Sequence, residues 1–144
     1  MDAERIVAML SEDRKEWAAL TAVLEDHAEG SLHGRGSPMW TAADVYAHLA
    51  RWMSRSTDDL EARLERRTLA PLEGTDDEIN ARWQAEDSHL TLAKALERAQ
   101  RAFERRIRAI EAVPQDRWDP VLQMMARADG AEHYAGHRRY IVAD

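Results

Sequence analysis

The sequence predicts an all-α protein folded as a four-helix bundle. Apolar residues recur at spacings of three and four along most of the chain, whereas no run alternates with period two for more than a few residues. The segments are joined by short and medium connections, as in helical bundles. A chain of 144 residues can bury one core, so we expect residues 1–144 to form a single domain.

The first predicted helix has one apolar stripe, formed by Ile6, Leu10, Trp17, Leu20 and Leu24. It ends before EGSLHGRGSP, residues 29–38, where three glycines and a proline indicate a loop. The second helix begins after Thr41, a good N-cap, and Asp44 three residues later resembles a capping box. Its stripe consists of Val45, His48, Leu49, Trp52, Leu60 and Leu64.

Thr75 and Glu78 form a second capping signal and predict a shorter helix over DDEINARWQAE. A longer helix follows, with a stripe of Leu92, Leu96, Ala99, Phe103, Ile107 and Ile110, and Pro114 ends it. The last segment, Val121 to Val142, is predicted as one helix, although Gly130 and Gly136 each make the helix less stable by about 1 kcal/mol.

The composition excludes several classes of protein. There are no cysteines, so disulfides, thiolate metal sites and a cysteine nucleophile are excluded. The formal charge of −7 argues against nucleic-acid binding, and ERAQRAFERRIRAIE is interpreted as a solvated face with i,i+4 ion pairs. No apolar run is long enough to cross a membrane and the N-terminus lacks a signal peptide, so we expect a cytoplasmic protein.

Three of the six histidines are candidate metal ligands. His48 lies on the apolar stripe of the second helix, and His133 and His137 are four residues apart in AEHYAGH. Side chains at i and i+4 lie about 5–6 Å apart on one helix face, so both imidazoles can bind one ion. Spacing alone leaves two interpretations open, namely a three-histidine site or a core histidine and an unrelated surface pair.

The chain resembles the DinB-like superfamily of metal-binding four-helix bundles. The motifs WTAADVYAHLARW, TDDEINARW and AEHYAGHRRYI carry this resemblance, in the expected order over nearly the whole chain. In that superfamily the corresponding histidines bind a divalent metal such as zinc or nickel, which implies His48, His133 and His137 here.

The resemblance also suggests an activity. DDEINARW is most similar to the branch that includes colibactin self-resistance and related small-molecule-modifying proteins, and other branches are thiol-dependent transferases using bacillithiol or mycothiol, including maleylpyruvate isomerase. We expect a metal-dependent enzyme acting on a small electrophilic molecule, by hydrolysis or by transfer of a low-molecular-weight thiol cosubstrate. The alternative is a non-catalytic metal-binding stress or scaffold protein.

Other residues are candidates for supporting roles around the metal. Asp44 and Asp129 lie one turn before His48 and His133 and are predicted to accept their second N–H, although capping or starting a helix explains them equally. The candidate pocket residues are Tyr46, Trp52, Asn80 and Trp83. Core packing is the other interpretation of the two tryptophans, and solvent exposure that of Tyr46 and Asn80.

The chain is also predicted to form a homodimer. The first helix and the longer helix that Pro114 ends carry more large apolar residues than a single core obviously needs. Trp17 and Phe103 are the residues expected to be exposed for contact with a second copy.

Overall fold

The computed structural model describes residues 1–26, 31–32 and 40–142, and it confirms the all-α helical bundle. Its α-helices are α1 (Ala3–Glu25), α2 (Ala42–Leu64), α3 (Asp76–Asp87), α4 (Leu92–Glu111), α5 (Pro120–Arg127) and α6 (Ala131–Val142), with a 3₁₀ turn at Gln115–Arg117. None of the helices in these ranges combines the length and the apolar character that a membrane span requires.

The predicted helix starts are confirmed. Thr41 accepts a hydrogen bond from the Asp44 backbone N–H, and the Asp44 carboxylate accepts one from the Thr41 N–H, at 3.1 and 2.9 Å. Thr75 and Glu78 form the same reciprocal pair at the start of α3. Each box satisfies two backbone donors that have no partner within the helix.

The core lies between α2 and α4, which pack together, and between α1 and α6. Trp17 and Phe103, predicted to be exposed, are instead 4% and 6% accessible. Their rings stack at 5.0 Å, and Tyr134 meets Trp17 edge-on at 5.2 Å. The prediction of exposure was wrong because three aromatic rings from α1, α4 and α6 share one site, so the predicted homodimer loses these two residues as its basis.

The last segment is divided into two helices rather than one. Ala128 is extended and Asp129 has φ of 58°, so the chain turns between α5 and α6. A residue in the left-handed region ends a helix, and Gly130 follows it directly. The break lets α6 take its own position against α1.

One short pair of strands was not expected. Ser31–Leu32 pairs antiparallel with Trp40–Thr41, with Leu32 opposite Trp40. The two-residue strands are too short to give a period-two signal, and the second leads directly into α2.

Candidate metal centre

The fold brings together the three histidines that the sequence singled out. His48 lies in the second turn of α2, and His133 and His137 lie on one face of α6. The Nε2 atom of His133 is 3.3 Å from Nε2 of His48 and 3.0 Å from Nε2 of His137. One nitrogen from each ring lies within 4.8 Å of the other two, so the cluster can hold a metal ion.

The donor set fits a divalent metal. In a tetrahedral site with metal–nitrogen bonds of about 2.0–2.1 Å, ligand nitrogens lie about 3.3 Å apart, close to the 3.3 and 3.0 Å that separate His133 Nε2 from the other two Nε2 atoms. Three imidazole nitrogens suit zinc, nickel and related ions, and no thiolate is available to this chain.

The electrostatics of the cluster favour neutral imidazoles. Burial, and then the neighbouring His137 and His133, lower the pKa of His48 from 6.5 to about 2. Burial and His133 lower the pKa of His137 to about 3. A neutral imidazole is the form that binds a metal, so these two rings need lose no proton to do so at neutral pH.

Trp40 forms part of the wall of the cluster, a role that the sequence analysis missed. Its ring centroid lies 4.8 Å from that of His48 and 6.4 Å from that of His137, nearly parallel to the latter. In the sequence it stands out only as the first residue of the motif WTAADVYAHLARW. Its placement depends on the strand pair, whose two-residue strands are too short to be recognised in the sequence.

Asp129 lies beside His133. Its Oδ1 atom is 3.3 Å from His133 Nδ1, although the angles do not meet those of a hydrogen bond and Nδ1 is otherwise buried without a described partner. The Asp129 carboxylate therefore lies on the Nδ1 side of the His133 ring, and the Nε2 atom on the other side of the ring faces the cluster.

Asp44 has other partners. Its Oδ2 atom accepts the Thr41 N–H, and its Oδ1 atom lies 3.5 Å from Nε2 of Gln84. These contacts support the capping interpretation over an orienting role toward His48, although both residues line the same crevice.

Three of the four predicted pocket residues lie together beside His48. Trp52 donates a hydrogen bond of 2.7 Å from Nε1 to Asn80 Oδ1, and its ring meets that of Trp83 edge-on at 4.9 Å. Asn80 and Trp83 line a crevice next to His48 of about 10 Å³, about the space of one water molecule.

Tyr46 is the exception. It is only 2% accessible and meets Trp17 edge-on at 6.5 Å, so it belongs to the core and is not solvent-facing. Burial raises its pKa to about 12. Two residues along a helix correspond to roughly 200° of rotation, which turns Tyr46 away from the face that carries His48.

The other histidines differ in position. His89 is exposed in the connection between α3 and α4, and His27 and His33 lie outside the described residues. Arg138, next to His137 in sequence, donates to Glu16 of α1 at 2.9 Å. Its charge is therefore paired with α1.

One comparison with known proteins gives a match. The family model of the mycothiol maleylpyruvate isomerase N-terminal domain matches residues 11–140 and so includes all three clustered histidines. No curated protein and no solved structure matches the chain. The matched family belongs to the DinB-like superfamily, as the motifs of the sequence suggested.

Proposed function

We propose that this chain, which belongs to the mycothiol maleylpyruvate isomerase N-terminal domain family, is a divalent-metal enzyme that acts on a small electrophile. A low-molecular-weight thiol would be its cosubstrate. The observation that carries this proposal is the convergence of three imidazole nitrogens from α2 and α6. The family name makes mycothiol the first thiol to test.

The chain's own residues would bind the metal and orient it. His48, His133 and His137 would supply three imidazole nitrogens, and the Asp129 Oδ1 atom lies 3.3 Å from His133 Nδ1. Three protein ligands leave a position for water or a substrate, as in catalytic zinc sites. A bound divalent ion would lower the pKa of a thiol or water and polarise an electrophilic carbonyl.

The thiol must come from outside the chain, because the sequence has no cysteine. Addition of the thiol would form a bond between its sulfur and the electrophilic carbon while the S–H bond and the π bond at that carbon break. The atom that receives the π electron pair would take up the thiol proton. With water in place of the thiol, the same cluster would support hydrolysis.

The first test is the metal content of protein purified without a histidine tag, since a tag binds metal by itself. We expect about one zinc or nickel ion per chain in the wild type after dialysis. His48→Ala, His133→Ala and His137→Ala should each bind orders of magnitude more weakly, whereas His89→Ala should behave as wild type. Equal metal in His48→Ala and His89→Ala would show that the third ligand is missing.

The second test is turnover of a panel of small electrophiles by metal-loaded protein, with and without mycothiol or bacillithiol. Thiol-dependent turnover that is lost in His48→Ala supports the proposed enzyme. Turnover without thiol indicates hydrolysis. Metal binding without turnover of any compound would favour the non-catalytic alternative.

A further inference from the structure

A buried ion pair joins α1 to α4 outside the histidine cluster. Arg106 Nη1 donates to Asp13 Oδ2 at 2.6 Å, and the two side chains are only 2% and 3% accessible. A buried pair of charges is costly to desolvate and is weak evidence for stability by itself. The other hydrogen bonds of Asp13 and Arg106 therefore indicate what role the pair has besides stability.

Asp13 and Arg106 each make a second hydrogen bond, one to the start of α6 and the other to α5. Asp13 Oδ1 accepts the backbone N–H of Ala131, the first residue of α6, at 2.8 Å. Arg106 Nη2 donates to the carbonyl oxygen of Ala126, near the end of α5. The ion pair thus holds the chain on both sides of the break at Asp129.

Gly130 allows this close approach. A Cβ atom there would lie 2.6 Å from Arg106 Nη2 and 2.8 Å from Asp13 Oδ1, so one of the groups would have to move. Gly130 also has no side-chain oxygen to cap α6, and the Asp13 carboxylate from α1 supplies an acceptor at this end. A carboxylate at a helix N-terminus is favourable for the helix dipole as well.

The position of α6 decides the position of two candidate ligands, because His133 follows Ala131 by two residues and His137 lies one turn further on. We propose that Asp13 and Arg106 are positioning residues for the metal centre, holding α6 so that His133 and His137 meet His48. The proposal rests on the proposed metal binding. Glu16, three residues after Asp13 on α1, provides a second tie to α6 through Arg138.

The test replaces the pair with apolar residues, Asp13→Leu with Arg106→Met, which leaves no buried charge unpaired. Such replacements often leave a protein equally stable or more stable, so the variant is expected to fold. The matched control is Asp58→Leu with Arg105→Met, the same residue types in a partly exposed pair, 2.7 Å apart, between α2 and α4. Zinc affinity is measured by competition with a chromophoric chelator, and unfolding by urea.

We expect the Asp13/Arg106 variant to bind zinc at least about tenfold more weakly than wild type, the range for lost outer-shell support, without a matching loss of stability. The control should bind zinc as wild type does. In the metal-free state, the amides of the first turn of α6 should exchange with deuterium faster in the variant. Gly130→Ala keeps both charges but crowds them, and it should weaken zinc binding in the same direction if the double variant does not fold.

The outcomes separate this inference from the proposed function. A folded Asp13/Arg106 variant with wild-type zinc affinity and unchanged α6 exchange would overturn the positioning role alone. If the double variant does not fold, Gly130→Ala with wild-type zinc affinity would also overturn it. A wild-type protein that binds no zinc would overturn the metal site and this inference with it.

Discussion

At the scale of single residues, the histidines of the cluster differ from free histidine mainly through burial. His48 and His137 are held neutral because their surroundings penalise the charged imidazolium, and each is close to another ring that would repel it. That preference favours metal binding, and it makes the metal-free protein sensitive to acid.

The metal-free protein should lose stability as the pH falls below about 6.5. Histidine in the unfolded chain takes up a proton near that pH, whereas folded His48 and His137 do so only near pH 2 and 3. The unfolded state therefore binds more protons below pH 6.5, and the free energy of unfolding falls by at most about 1.4 kcal/mol per pH unit for each histidine. Urea unfolding at pH 7.5, 6.0 and 5.0 measures this.

Substitution variants identify the source of that pH dependence. His48→Gln should make it shallower, and His89→Gln, which changes an exposed histidine, should leave it nearly unchanged. Identical pH dependence in His48→Gln and wild type would contradict the assignment to the cluster.

Asp129→Asn should weaken zinc binding by roughly 10–100-fold, the range for carboxylates that orient metal-bound histidines. Asparagine tolerates the left-handed backbone at this position, where φ is 58°, so the variant removes the charge without straining the turn. Asp44→Asn is the control, because Asp44 caps α2 and should affect stability more than zinc affinity. Isothermal titration with zinc would refute the orienting role if both variants bind equally.

At the scale of the elements, two helix-weakening glycines, Gly130 immediately before α6 and Gly136 within it, have different surroundings. Gly130 is enclosed by the Asp13 and Arg106 side chains, whereas nothing lies within 4 Å of a Cβ added at Gly136. Only the first has a packing reason to be glycine.

Gly136→Ala is therefore expected to stabilise the protein by about 0.5–1 kcal/mol, because alanine loses less backbone entropy than glycine in a helix. Zinc affinity should be unchanged or higher, since the helix between His133 and His137 becomes firmer. Urea unfolding of the metal-free variant measures the effect, and a loss of stability would show that Gly136 makes a contact the structure does not contain.

At the scale of the whole molecule, the aromatic cluster of Trp17, Phe103 and Tyr134 joins three helices in the core. Tyr134 also donates from its hydroxyl to Met53 Sδ at 3.0 Å, which ties α6 to α2. Core packing and the placement of the candidate ligand helix thus depend on the same residues.

Phe103→Ala should lower the free energy of unfolding by about 3–5 kcal/mol, the cost of removing a buried aromatic ring. Met124→Ala is the control, because Met124 is 64% accessible and should change stability by no more than about 0.5 kcal/mol. Unfolding by urea at two protein concentrations measures both. If the change in stability of Phe103→Ala depended on protein concentration, Phe103 would instead contribute to an interface between subunits.

The sequence alone determined the helical class, the capped starts of α2 and α3, and the identity of the three histidines that meet. Apolar periodicity and capping boxes are local properties, and i,i+4 spacing puts His133 and His137 on one face whatever packs against it. The meeting of His48 with that pair needed the resemblance as well, because spacing on two separate helices says nothing about their distance.

Only the tertiary structure decided the break before α6, the burial of Trp17 and Phe103, and the role of Asp13 and Arg106. A periodic stripe gives the face of a helix but not the shape of the partner that covers it, so exposure could not be read from Trp17 or Phe103 alone. The sequence does contain one indication that Asp13 and Arg106 are buried, since each is a charged residue close to an apolar stripe position, Leu10 or Ile107. Their function became visible only where α1, α4 and the α5–α6 turn converge, because an ion pair between residues 93 positions apart depends on the packing of the whole bundle.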